Sequence, residues 1–160
     1  MIASTVFKEV DYNYFLHPVD TYFETGSYEL IKGQPFAGRM PGYALPYYIL
    51  RLFLSKDGAI QTLILVQIIL SVLSCYFLAL LARKIVGSDM AFYIILFIYS
   101  SFLYYLRFDF SSLTESASIS IFIIGLYFLF LKKPHYNKSD LVLIGFCFTW
   151  CFFLRPFLGY

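Results

Sequence analysis

Residues 60–81 read IQTLILVQIILSVLSCYFLALL, a run without one charged side chain. A hydrocarbon core about 30 Å thick is crossed by roughly 20 apolar helical residues, because lipid gives backbone amides no partner outside their own helix. Met90 to Leu106 and Ser111 to Leu131 are further runs of this kind, and Leu141 to Leu154 reads LVLIGFCFTWCFFL up to Arg155-Pro156. The expected fold class is therefore all-α, a polytopic helical membrane protein with about four transmembrane helices. Two units are expected: an outer-surface segment over 1–56 and a transmembrane helical bundle over 57–160.

The composition agrees. Hydrophobic residues make up 60% of the chain and charged ones 14%, a bias that a soluble domain of this length does not carry. The 15 Tyr and 19 Phe suit interfacial belts and rigid bundle packing. Cys75, Cys147 and Cys151 all fall inside apolar runs, where a thiol behaves as a small hydrophobe. Cys147 and Cys151 share a helix face, but no neighbouring His or acid makes them a metal pair. Phosphate-loop, zinc, nucleophilic-triad and basic-patch patterns are absent from the sequence, which argues against soluble nucleotide chemistry and nucleic-acid partners.

The segment 1–56 holds half of the acids, four of the six prolines and no long apolar run. Its start, MIASTVFKEVDYNYF, lacks the basic and apolar regions of a signal peptide. Pro18 in a first turn, the periodic VDTYFETGSYELIK, Gly33 as a cap and Pro35 beyond predict a helix from about Pro18 to Lys32. Phe23, Leu30 and Ile31 fall on one side of it, with Asp20 and Glu24 as i,i+4 neighbours on another. A second short helix starts near Pro46 and runs through YYILRLFL to the break SKDG. Both are expected to lie at the membrane interface, aromatic side down.

Arg83 and Lys84 follow the first span, and Lys132, Lys133 and Lys138 follow the third, so the positive-inside rule makes these two loops cytoplasmic. The amino-terminal segment, the Arg107 to Glu115 loop and the Arg155 end then lie outside. Ionisable groups at a lipid boundary are costly unless paired, solvated or used. Asp20, Glu24, Arg39, Glu115 and Arg155 thus become candidates for one outer cavity, in which a carboxylate deprotonates an acceptor and arginines hold a phosphate. Asp20, in the first turn of its helix, is the candidate catalytic base, with Glu24 one turn later. Plain structural roles compete: Asp20 is also a favourable N-terminal acid, and Glu115 stands at a good helix start, SSLTES.

The order of these pieces resembles a known family. Asp20, Phe23, Ser27, Leu30 and Gly33 at their spacing are followed by R-M-P-G-Y at 39–43, a span ending L-A-R-K, a Tyr-rich span end, L-T-E at 113–115 and L-R-P at 154–156. This is similar to the amino-terminal region of the C-type membrane glycosyltransferases that use polyprenyl-phosphate sugars, the group of protein O-mannosyltransferases and aminoarabinose transferases. The resemblance implies transfer of a sugar from a polyprenyl-phosphate donor to a lipid, glycan or protein acceptor, at the outer face of a bacterial inner membrane. Asp20 would be the general base or a metal-linked carboxylate, and Glu24, Arg39, Glu115 and Arg155 would bind substrate. No cofactor is expected, although some members of that family need a divalent metal. The chain departs from the family in lacking a span before the acidic loop and many after it, which implies an amino-terminal fragment, and in reading Arg39-Met40-Pro41 where two prolines are common. The competing reading is a small membrane scaffold or binding protein without catalysis. A transporter fragment ranks below both, since Gln61, Thr62 and Gln67 lie toward one end of their span.

Overall fold

The computed structural model describes residues 15–31, 33–35, 41–101, 114–131 and 136–154. Among the described residues there are six helices and one two-stranded hairpin, in the order α1 (His17–Thr25), β1 (Glu29–Ile31), β2 (Gln34–Pro35), α2 (Ala44–Arg51), α3 (Lys56–Val86), α4 (Asp89–Ser101), α5 (Thr114–Leu131) and α6 (Lys138–Leu154). The fold is all-α apart from that hairpin.

The long helix α3 is set at both ends by local chemistry. Ser55 accepts the Gly58 N–H through its hydroxyl, Asp57 lies in the first turn, Arg83 and Lys84 in the last, and Gly87 closes the helix at φ 71°. At 1.5 Å per residue its 31 residues span about 46 Å, so each end overhangs the expected apolar run of 60–81. Within the bundle α3 packs against α4 and α5, and α5 packs against α6.

Small residues let α3, α5 and α6 approach closely. Ser74 Oγ donates to Ser71 O at 2.8 Å and lies 3.4 Å from Ser120 Oγ. A methyl group added at Gly125 would meet the Cys147 Cβ at 3.1 Å. Ser116, Ser118 and Ser120 are buried on α5 beside these contacts. Such close seams are how helices associate where no hydrophobic drive exists between them.

Two helices, α3 and α5, are long and apolar enough to cross a membrane, and 39% of the most apolar stretch of each is buried. On α3 the exposed large side chains include Leu65, Val66, Ile69, Val72, Leu73 and Tyr76, while Leu63, Ile64 and Leu81 are buried. The helix α4 covers Asp89–Ser101, and the rest of the expected run to Leu106 lies outside the described residues, as do 111–113 ahead of α5.

The amino-terminal segment differs from its expected form. The helix expected over Pro18 to Lys32 stops at Thr25, because Gly26 takes φ 78° and its N–H bonds back to Tyr22 O. The chain then turns into the hairpin, where Gly33 at φ 83° serves a strand turn and donates its N–H to Glu29 Oε2. Leu16, Val19 and Asp20 are buried, whereas Phe23 and Ile31, on the side expected to face the membrane interface, are exposed. On α2, likewise, Ala44 and Tyr47 point inward while Leu45, Ile49 and Leu52, spaced i, i+4, i+7, point out. The inner faces of α1 and α2 join Ala59, Leu63, Ala117 and Leu154 in one core with Phe15 and Tyr43. Residues from both sides of the expected 56/57 boundary therefore share one interior.

Candidate functional site

Asp20 stands at the centre of this joint. Pro18 starts α1, and its first turn carries Asp20 to a position 2% exposed. The Tyr47 phenol donates to Asp20 Oδ1 at 2.9 Å, Arg51 Nε donates to the same oxygen at 3.0 Å, and Lys56 Nζ lies 3.0 Å from Oδ2. Tyr47 and Arg51 are one turn apart on α2, and Lys56 opens α3, so the carboxylate ties three helices together. A buried carboxylate without partners would cost several kcal/mol, roughly what its removal would cost the cations now facing it.

Arg51 is held on its other sides as well. Its Nη1 donates to Leu54 O at 3.3 Å, and its guanidinium carbon sits 5.0 Å from the centre of the Phe23 ring. Phe23 packs on Tyr48 at 5.4 Å, and Tyr22 meets the same Tyr48 edge-on. The aromatic residues expected to face lipid thus also form a collar around a cation.

Next to this cluster, the Tyr43 phenol donates to Gln67 Oε1 at 2.9 Å inside the core. Burial, and then the negative charge of Glu115, push the Tyr43 phenol well above its usual range. The charge of Glu115, at the start of α5, is thus felt at Tyr43, the residue before α2. The backbone closes the same region: Gly42 N–H donates to Phe153 O at 3.0 Å, and an added Cβ on Gly42 would lie 2.3 Å from the Phe153 carbonyl carbon. Only glycine allows this approach.

The fate of the candidate residues is uneven. Asp20 and Glu115 are brought to one end of the bundle. Glu24, one turn beyond Asp20, is exposed and makes no ion pair among the described residues. Arg39 and Arg155 lie outside the described residues, although their described neighbours Gly42 and Leu154 are in contact. Tyr47, Arg51 and Lys56 are absent from the sequence-derived set. A signal for them existed: Y-x-x-x-R in ALPYYILR puts one phenol and one cation on a single face of an otherwise apolar helix. Among the described residues, no group of three or more His, Cys, Asp or Glu side chains is arranged to hold a metal ion.

Chemically the cluster fixes a carboxylate, with a phenol and two cations, at the end of two membrane-length helices. Compared with protein-family models, with curated proteins and with solved structures, the chain gives no match.

Proposed function

We propose that the chain belongs to a multi-pass membrane glycosyltransferase that moves a sugar from a polyprenyl-phosphate donor to a lipid, glycan or protein acceptor at the outer face of a bacterial inner membrane. In this reading α3 to α6 are the four transmembrane helices, and α1 and α2 are juxtamembrane helices on the outer side. The observation that carries it is the convergence of motif-bearing segments far apart in sequence. Val19 beside Asp20, Tyr43 of R-M-P-G-Y, Ala117 after L-T-E and Leu154 of L-R-P all contribute to one core. Gly42 and Phe153 join two of these segments backbone to backbone.

The reaction so read is attack of an acceptor hydroxyl oxygen on the anomeric carbon. The bond from that carbon to the phosphate oxygen breaks, the lipid phosphate leaves with the electron pair, and the hydroxyl proton passes to Asp20. Arg39 and Arg155 hold the phosphate, while Glu24 and Glu115 shape the acceptor side. The test is release of sugar-free polyprenyl phosphate from a polyprenyl-phosphate sugar by the membrane-inserted chain. Since Asp20→Asn alone strands Arg51, it is paired with Arg51→Gln to remove both charges together. Release by the native chain that the double variant loses supports the assignment, and native-like release by the double variant removes Asp20 as the base.

One observation favours the competing reading of a membrane scaffold without catalysis. Asp20 is buried and already accepts from Tyr47, Arg51 and Lys56, an arrangement that anchors helices without any substrate. Neither donor binding nor release by a properly inserted chain would favour it.

A further inference from the structure

The opposite end of α3 carries a cavity that the reading above leaves unused. It has a volume of about 450 Å³ and is lined by Leu80, Arg83, Lys84, Gly87, Ser88 and Asp89, in the turn between α3 and α4. Arg83 gives Nε to Asp89 Oδ1 at 2.7 Å. Among the described residues its two Nη groups make no hydrogen bond, and its side chain is 56% exposed. Lys84 spans the gap to α5, donating to Phe130 O at 2.7 Å and Leu131 O at 2.8 Å. The lining therefore holds two cations against one carboxylate, and the sequence after Leu131 continues Lys132-Lys133. Around the cavity, Ile85, Val86, Met90 and Tyr93 are each at least 65% exposed. Cationic donors set in a hollow at the end of a membrane-length helix, with large apolar side chains around it, match an ion that carries its own hydrocarbon.

We infer that this cavity seats the phosphate of an anionic phospholipid, with Arg83 as its principal contact and the acyl chains against the outward faces of α3 and α4. Basic hollows between helix ends at the cytoplasmic surface are suited to such head groups. A guanidinium fork meets two phosphate oxygens at once, which an ammonium group does not. Asp89 competes for the same guanidinium and so limits the affinity. The inference rests on the membrane reading and is independent of sugar transfer.

The test uses the full chain in phosphatidylcholine nanodiscs doped with phosphatidylglycerol, with retained lipid counted by native mass spectrometry. Phosphatidylglycerol is expected to be retained over phosphatidylcholine, to fall at least fivefold in Arg83→Gln, and to rise at least twofold in Asp89→Asn, which frees the guanidinium. A merely structural Arg83–Asp89 pair would move retention the same way in both variants. Equal retention in Arg83→Gln and native chain overturns the inference, as does displacement by millimolar inorganic phosphate, which would make this a site for the free ion. A chain that alkaline carbonate strips from the bilayer overturns the membrane reading and this inference together, whereas an inserted chain indifferent to Arg83 overturns only this one.

Discussion

The two ends of α3 both carry charge, and they use it in opposite ways. At the Lys56 end one carboxylate on α1, 2% exposed, gathers a phenol and two cations from α2 and α3. At the Val86 end the Arg83–Asp89 pair is 56% and 70% exposed and joins residues six apart in sequence. The first arrangement is long-range and centred on a buried carboxylate, so it ties helices together across the fold. The second is local and wet, so it contributes little to stability. Burial, more than the number of charges, separates the two ends of α3.

That contrast can be broken most severely at Gly42. Gly42→Ala drives a methyl into the Phe153 backbone and is expected to cost at least about 3 kcal/mol, read as a large fall in thermal unfolding temperature in detergent; an unchanged temperature would mean that this backbone contact does not hold the end together. Asp20→Asn is expected to cost about 2 kcal/mol because it takes the charge from a buried carboxylate that faces a half-buried guanidinium. Adding Arg51→Gln should recover a good part of that loss in the same measurement, and the absence of recovery would show that the ion pair is not what Asp20 supplies. At the far end Lys84→Met removes the cap on two helix carbonyls and should cost only about 0.5 to 1 kcal/mol, seen as faster amide exchange confined to the last turn of α5. Arg83→Gln is expected to stay within about 0.5 kcal/mol of the native chain. A larger change there would erase the contrast.

Much of the bundle was legible because apolar runs and caps are local signals. Ser55, Asp57, Arg83, Lys84 and Gly87 bracket α3, and Lys138–Leu154 extends the expected Leu141 to Leu154 by less than a turn. Reading failed where two glycines offered rival stops. Gly26 and Gly33 both take positive φ, and the sequence pattern pointed to the second for a helix that ends at the first. The packed face of α1 was hidden for another reason. An interfacial helix was expected to turn its aromatic residues toward lipid, but here the inner face is Leu16, Val19 and a paired Asp20, and nothing in the sequence around Asp20 shows that its cations arrive 31 and 36 residues later. The candidate site was legible as residue types and order, whereas the partners of Asp20 required the tertiary joint.

The Gly42 to Phe153 hydrogen bond also has a bearing on timing. It links residues more than a hundred positions apart, and Tyr43, which follows Gly42, shares its core with Leu154. A ribosome therefore delivers α1 and α2 long before the last turn of α6 exists, and until that turn is inserted Gly42 has no acceptor there. The amino-terminal helices complete their packing only after α6 has been made, and any chain that stops short of Phe153 leaves the clasp open however well α3 to α5 are formed.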